Sequence, residues 1–247
     1  LINIGNVYFH NNNFDKSFEY FYSAKENFEL TSEHNKIYGL PTAFDNIGKV
    51  FFNKANKDSA SVYFNKSLKI RKSNYLYGAS IYSYNNLMSL VPPDNETLVL
   101  KYKNIVDDLF NKIFSKKNEP DGQINIETNY GKFYYMLGLF YYNLSDYDTS
   151  ILYLIRSRKY LKNSFSDLIT TNLLMAKSYI GLKKFNKADA LLQKNLSFLH
   201  EIGVNSPAIK IKVYEIFDKL YLLQSKKDQL LSVKDSIINL KASILDN

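Results

Sequence analysis

The sequence predicts an all-α protein, a right-handed α-α superhelix (solenoid) of about six helical hairpins and roughly twelve helices. The first observation is a repeat, because residues 3–24, 46–68 and 136–158 share one pattern of residue types. Each stretch has a small apolar residue, a glycine, an aromatic residue three positions later and a short polar turn. A Ser or Ala then follows, with a large apolar residue four positions on. The second observation is helical spacing of apolar residues throughout, without a convincing strand.

Six repeat units follow one another along the chain when the glycines of the first helices are aligned. Their central residues are Gly5, Gly48, Met88, Gly138, Ala176 and Asp218. A small residue is expected where the two helices of a hairpin cross, because it lets their backbones approach closely. The aromatic residue three positions later is expected to fill the space beside that crossing. These aromatics are Tyr8, Phe51, Tyr141, Tyr179 and Tyr221, with Val91 as the exception.

The second helix of each unit is predicted to begin after a polar turn, as at residues 11–13, 143–146 and 181–184. Its small position holds Ser17, Ala60, Ser150 and Ala188, whereas the sixth unit departs from the rule with Leu230. The large apolar position four residues later holds Phe21, Phe64, Leu154 and Leu192.

The middle of the chain is irregular. Residues 91–94 read Val-Pro-Pro-Asp and should stop a helix, since proline cannot continue one and restricts the residue before it. Asp94 or Asn95 is the expected cap of the next helix. Residues 115–125 alone have the composition of a linker. Residues 1–247 therefore read as one solenoid, with a possible division into blocks 1–116 and 124–247 at that loop.

The composition excludes several classes of function. Cysteine is absent from the 247 residues, which removes disulfides, thiolate metal sites and cysteine nucleophiles. The net charge of +8 is spread along the chain and forms no arginine-rich arm. No stretch approaches 18 apolar residues, so no membrane span is expected. Residue 1 is Leu and the repeat is already under way there, so we expect a fragment of a longer protein, and its compartment stays open.

Catalytic, metal-binding and cofactor-binding residues are not predicted. The sequence contains no phosphate-binding glycine loop and no nucleophile elbow. The histidines His10, His34 and His200 are far apart, and the adjacent pair Asp107 and Asp108 would point in different directions on a helix. Two basic clusters end second helices, where cations complement the helix dipole, so direct nucleic-acid binding is not expected. The clusters are Lys66, Lys69, Arg71 and Lys72, then Arg156, Arg158, Lys159 and Lys162.

These repeats resemble the tetratricopeptide repeat family over about residues 1–245. The resemblance is strongest in the first, second, fourth and fifth units. The family's tryptophan is replaced there by Leu1, Phe44, Tyr134 and Asn172. The long period is similar to the long-helix variants in bacterial regulators. Residues 221–241 are similar to the last unit of such regions in Bacteroidetes signalling proteins. The resemblance implies a non-catalytic module that binds a protein or peptide.

The resemblance also implies where the ligand binds, because in this family the first helices line a concave groove. Positions one after each central residue, two or three before it, and one helical turn after it are taken to face that groove. The predicted ligand-binding residues are Asn6, Asp45, Asn46, Lys49, Asn85, Tyr135, Leu139, Tyr142, Lys177 and Lys219. The N-terminal members offer amides and charge to an extended peptide backbone. The C-terminal members suit an apolar side chain beside a carboxylate.

One mechanism of the family does not fit this sequence. Chaperone-binding members clamp a terminal carboxylate with two asparagines and several cations. Asn6 and Asn46 match the asparagine positions, but the cationic positions hold Ile2, Tyr82 and Asn86. Charge-assisted binding would lose its main source of strength without the cations, so the clamp is rejected.

Three functions remain open from the sequence. The preferred one is the sensory or docking region of a bacterial regulatory protein. The second is an intracellular receptor for a peptide pheromone, which the repeated groove asparagines favour. The third is a scaffold or oligomerisation subunit of an envelope complex. In that case the partner would bind the exposed face of the last hairpin and not the groove. The oligomeric state stays open from the sequence.

Overall fold

The computed structural model describes residues 1–115, 126–201 and 206–245, which form twelve α-helices and no strand. The predicted all-α class and the twelve helices are therefore confirmed. The helices are α1 (Ile2–His10), α2 (Phe14–Glu29), α3 (Glu33–Asn53), α4 (Lys57–Ser73), α5 (Tyr77–Met88), α6 (Glu96–Ser115), α7 (Ile126–Asn143), α8 (Tyr147–Tyr160), α9 (Phe165–Gly181), α10 (Phe185–Glu201), α11 (Pro207–Leu223) and α12 (Lys227–Leu245).

The turn inside five of the hairpins has one form, three residues long with a left-handed middle residue. Those middle residues are Asn12, Ala55, Ser145, Lys183 and Ser225, with φ between 55° and 63°. A single left-handed residue ends the first helix, and the next residue begins the second. Asn13, Asn56 and Asp146 are the last residues of three of these turns, and each side chain accepts a hydrogen bond from the backbone N–H three residues later.

The central glycines lie directly against the large apolar residues of the second helices. A Cβ atom at Gly48 would be 2.5 Å from the ring of Phe64, and one at Gly5 would be 2.5 Å from Phe21. At Gly138 the same atom would meet Leu154 at 2.6 Å. Any side chain at these positions would overlap the second helix, so the repeat pattern encodes the close crossing of each hairpin.

Unit 1 of the structure is Leu1–Met136 and contains α1 to α6 with the first part of α7. Each helix from α1 to α5 packs against the next one in the chain. Helix α5 ends at Met88, ahead of the two prolines, and the side chain of Asn95 accepts from the backbone N–H of Leu98 at 3.1 Å. The predicted stop and the Asn95 cap are therefore confirmed. The early end of α5 also explains why Val91 breaks the aromatic rule.

The contact between α6 and α7 in unit 1 is centred on the Asp107 carboxylate. The hydroxyls of Tyr130 and Tyr134 each donate to it at 2.7 Å, and the Lys103 ammonium donates at 3.0 Å. Burial opposes ionisation of Asp107, but these three hydrogen bonds outweigh it and hold the pKa of its carboxyl below the usual value. Asp107 is therefore a structural acceptor that ties two helices together.

Unit 2 is Leu137–Asn247 and contains the rest of α7 with α8 to α12. The buried hydroxyl of Ser150 on α8 lies 2.8 Å from the carbonyl oxygen of Gly138 and 3.1 Å from the hydroxyl of Ser178 on α9. In the α9–α10 hairpin, the amide of Asn172 donates to that of Asn195 at 2.8 Å. Polar groups thus join neighbouring helices in an otherwise apolar core.

The predicted blocks 1–116 and 124–247 remain a prediction. Ser115 is the last residue of α6, and residues 116–125 of the predicted loop lie outside the described part of the chain. The two compact units of the structure divide at Met136, inside α7.

Candidate functional site

A cavity of about 340 Å³ lies in unit 1 among the first helices α1, α3 and α5. It brings together Asn6, Asn46 and Lys49, three of the ten residues that the sequence assigned to ligand binding. Helix α1 contributes Asn6, α3 contributes the other two, and α5 adds Tyr82. The remaining lining residues are Ile2, Phe9, His10, Phe21 and Thr42. We call this space the α1–α3–α5 cavity.

The polar groups of the α1–α3–α5 cavity suit a peptide backbone. The side-chain amides of Asn6 and Asn46 form no hydrogen bond with any residue that the structure describes, so both can donate to and accept from a ligand. The Lys49 ammonium donates to the hydroxyl of Tyr82 and so adds a positive charge at one wall. Phe9 and Phe21 give the cavity an apolar side.

A buried ion pair lies beside this cavity. The Arg71 guanidinium on α4 is 2.6 Å from the Asp45 carboxylate on α3, and the two side chains are 6% and 1% exposed. Arg71 also donates to the hydroxyl of Ser83 at 2.7 Å, and the Asn86 amide donates to Asp45 at 3.0 Å. The network joins α3, α4 and α5. Asp45 is thus buried and paired, and it does not line the cavity.

Asn85 and Tyr135 also lie outside the α1–α3–α5 cavity. The Asn85 amide donates to the backbone carbonyl of Asn129 at 2.9 Å, so it ties α5 to α7. Tyr135 is half-buried on α7, and burial raises the pKa of its hydroxyl. The structure does not bring these two residues to Asn6, Asn46 and Lys49.

The predicted residues of unit 2 are distributed over three helices. Leu139 and Tyr142 are half-buried on α7, and burial together with the neighbouring Tyr147 raises the pKa of Tyr142. Lys177 on α9 and Lys219 on α11 are exposed, and neither forms an ion pair within the described ranges. The assignment of these four residues to a ligand site stays a prediction.

Tyr82 contributes to the site, although from the sequence it was noted only as the residue at a cationic position of the rejected clamp. It lies six residues before Met88, outside the positions from which the ligand-binding residues were predicted. Its ring nevertheless reaches Lys49 and lies 5.4 Å from the Arg71 guanidinium carbon. Only the packing of α5 against α3 and α4 places it there. His10 is the last residue of α1 and also lines the cavity.

Residues 41–74 and 131–157 match the family model described as "Tetratricopeptide repeat". The sequence matches no curated protein at a significant level. Two solved structures of low identity have a similar fold. BtubC (BKLC) from P. vanneervenii is 9% identical with a TM-score of 0.71, covering 95% of this chain and 93% of that one. The apo form of RapI is 14% identical with a TM-score of 0.54, covering 100% and 98%.

A third similar structure is described as Rap protein complexed with Competence and Sporulation Factor. It is 12% identical with a TM-score of 0.60, and the match covers 99% of this chain and 75% of that one. The hairpins, their shared turns and these similarities define a helical-repeat protein of the kind that binds other proteins. Within that class, the matches of residues 41–74 and 131–157 to the tetratricopeptide repeat model support the resemblance that the sequence predicted.

The described residues contain neither a candidate membrane span nor a candidate metal site. No helix among them combines the length and the apolar character that crossing a membrane requires. Within residues 1–115, 126–201 and 206–245, no three His, Asp or Glu side chains are grouped so as to hold a metal ion.

Proposed function

We propose that this chain is a non-catalytic peptide-binding module, the sensory or docking region of a bacterial regulatory protein, and that the α1–α3–α5 cavity holds the peptide. The observation that carries the proposal is the pair of unpartnered amides, Asn6 and Asn46, beside the charged Lys49 in one cavity. An asparagine amide presents both a donor and an acceptor, as a peptide group does. Two such amides can therefore bind an extended backbone with little selectivity for its side chains.

Lys49 supplies the selectivity in this proposal. Its ammonium group faces the cavity from α3 and donates to the hydroxyl of Tyr82. A peptide carboxylate would accept a charge-assisted hydrogen bond there, which is stronger than a bond between neutral groups. The preferred ligand is thus an extended peptide with an acidic group beside an apolar residue that contacts Phe9.

The ion-pair network offers a route from the cavity to the rest of unit 1. Tyr82 borders the cavity and its ring lies 5.4 Å from the Arg71 guanidinium carbon, while Arg71 pairs with Asp45. A ligand that displaces Tyr82 would change the contact of α5 with α3 and α4. An attached effector would respond to that shift in helix packing.

The proposal is tested with an array of immobilised random peptides. Asn6→Ala/Asn46→Ala is expected to weaken binding to the selected peptides about tenfold or more, since each lost hydrogen bond costs about 1 kcal/mol. Lys49→Glu should reverse the preference for acidic peptides. The matched control, Asn35→Ala/Asn104→Ala, removes two exposed amides that line no part of this cavity. Equal binding by the test and control variants would overturn the proposal.

The scaffold function is the second candidate, and the surface of α12 favours it. Leu231, Ile238 and Ile244 on this last helix are 61%, 62% and 48% exposed, although they are large apolar residues. A partner bound there would be captured equally by the wild type and by Lys49→Glu. Loss of capture with Leu231→Lys/Ile238→Lys and retention with Lys49→Glu would favour the scaffold over the peptide module.

A further inference from the structure

A second and larger cavity, of about 590 Å³, lies in unit 1 among α2, α3 and α4. Helix α3 borders both cavities but with different faces. Thr42, Asn46 and Lys49 line the α1–α3–α5 cavity, whereas Leu40 and Phe44 line the second one. At about 100° per residue these two sets lie on roughly opposite sides of the helix. We call the second space the α2–α3–α4 cavity.

The wall of the α2–α3–α4 cavity combines a broad apolar surface with several charges. Its apolar and aromatic residues are Tyr22, Ile37, Leu40, Phe44, Tyr63 and Ile70. Four lysines from all three helices stand around them, namely Lys25, Lys36, Lys66 and Lys69. Two carboxylates, Glu29 and Glu33, and the polar residues Ser73 and Asn74 complete the lining.

Positive charge is in excess in this cavity. Lys25 is 2.9 Å from Glu29, and that hydrogen bond raises the pKa of the Lys25 ammonium. Lys66 and Lys69 have no carboxylate partner among the described residues. The ammonium of Lys66 lies 5.1 Å from the centre of the Tyr63 ring, so it is held over the apolar wall. The cavity therefore offers a free cation directly beside an aromatic surface.

We propose that the α2–α3–α4 cavity binds a small organic anion with an apolar body, of which a medium-chain carboxylate is the simplest example. The carboxylate pairs with Lys66 and Lys69, and the apolar body lies along Phe44, Tyr63 and Ile70. The volume is within the range of about 300–1,000 Å³ that is typical of small-molecule sites. Burial of the apolar body supplies affinity, and the ammonium groups supply selectivity for anions. This site is independent of the proposed peptide site.

The basic cluster at residues 66–72 therefore has three different roles. Arg71 forms the ion pair with Asp45, whereas Lys66 and Lys69 line the cavity. Lys72 is exposed and does not line this cavity. In a purely dipolar role Lys72, in the last turn of α4, would matter most, and Lys66 and Lys69 would matter less, which is the opposite of the proposal.

A tryptophan reporter makes the site measurable. The chain contains no tryptophan, so Ser73→Trp at the rim of the cavity gives a fluorescence signal from this place alone. Titration with sodium octanoate is expected to change the emission saturably. Inorganic phosphate lacks the apolar body, and 1-octanol lacks the charge. Each is expected to bind at least about tenfold more weakly than octanoate. Equal binding of octanol or phosphate, or the absence of saturation, would overturn the proposal.

Two double variants on α4, each of which removes two positive charges, distinguish octanoate binding in the cavity from nonspecific electrostatic attraction by the protein. In the reporter background, Lys66→Gln/Lys69→Gln is expected to raise the dissociation constant for octanoate about tenfold or more. Lys57→Gln/Lys72→Gln removes the same charge from the same helix outside the cavity, and less than about a twofold change is expected. An equal loss in both would show a diffuse electrostatic effect and refute the site.

A variant that narrows the cavity tests the proposal even if Lys66→Gln/Lys69→Gln fails to fold, as judged by loss of its helical circular dichroism signal. Ile70→Phe keeps all four lysines and fills part of the space beside Phe44 and Tyr63. The dissociation constant for octanoate is expected to rise in this variant, because the added ring takes volume from the apolar body of the ligand. An unchanged dissociation constant there would equally refute the proposal.

Discussion

In unit 1 the buried Asp45 carboxylate of α3 meets the Arg71 guanidinium of α4, whereas in unit 2 the buried amide of Asn172 on α9 meets the Asn195 amide of α10. The unit 1 network also reaches α5 through Ser83 and Asn86, so it joins three helices. The unit 2 pair stays within one hairpin. One repeat pattern thus carries two kinds of polar core, and the charged one lies beside the candidate site.

The largest difference is expected on removing one partner of each pair. Asp45→Ala leaves the Arg71 guanidinium buried without its counter-charge and should lower the free energy of unfolding by about 3–5 kcal/mol. Asn172→Ala removes a neutral hydrogen bond and should cost about 1–3 kcal/mol. Urea unfolding followed by circular dichroism measures both.

Replacing both charges provides the control for this comparison. Asp45→Leu/Arg71→Met exchanges the pair for apolar side chains, and it should recover most of the loss because no unpaired charge remains. If the double variant is as unstable as Asp45→Ala, the contrast between the two cores is contradicted. It is also contradicted if Asn172→Ala lowers the free energy of unfolding more than Asp45→Ala does.

A smaller difference is expected at the helix crossings. Gly48→Ala places a methyl group 2.5 Å from the buried ring of Phe64 and should cost about 1–3 kcal/mol. Gly138→Ala meets a methyl group of Leu154 at 2.6 Å, and a leucine side chain can move more easily than a ring. The melting temperature of Gly48→Ala should therefore fall further. Gly48→Ala/Phe64→Leu should regain part of the loss, and no recovery would argue against this clash as the cause.

The pH dependence of stability should differ between the units because of Asp107 in unit 1. Its pKa is lowered in the folded state from the usual 3.8, so ionised Asp107 stabilises the fold at pH values above 3.8. That contribution is lost as the pH falls below 3.8 and through the lowered pKa, since the unfolded chain then binds the proton more tightly. Asp107→Asn should flatten this acid-side fall in urea unfolding measured from pH 5 to pH 2. The exposed neighbour Asp108→Asn is the control and should leave the curve unchanged.

The smallest expected effect concerns the helix caps. Asn13 and Asn56 cap α2 and α4 in unit 1, but Lys184 occupies the equivalent position before α10 in unit 2. Lys184→Asn should add the missing hydrogen bond and raise the free energy of unfolding by about 1 kcal/mol. Asn13→Ala should lower it by a similar amount. Destabilisation by Lys184→Asn would indicate that its exposed ion pair with Asp148 matters more than the cap.

Much of the fold was predictable because the repeat constrains local geometry. The glycine and large apolar positions, such as Gly48 and Phe64, identify which faces of two helices meet. The polar turns and the Pro92-Pro93 stop follow from backbone chemistry within a few residues. The ligand site was less predictable. Spacing placed Asn6, Asn46 and Lys49 on first helices. Nothing in the spacing indicated that Asp45 would form a buried ion pair with Arg71.

The sequence by itself determined the twelve helices of the described residues, their pairing into hairpins and the resemblance to the tetratricopeptide repeat family, since these depend on periodicity and local turn chemistry. Only the tertiary structure decided which polar side chains remain available to a ligand. Asp45 and Asn46 are adjacent in sequence, yet one is paired with Arg71 and the other lines a cavity. Adjacent helical residues point about 100° apart, so the neighbouring helices decide whether each meets a partner or open space.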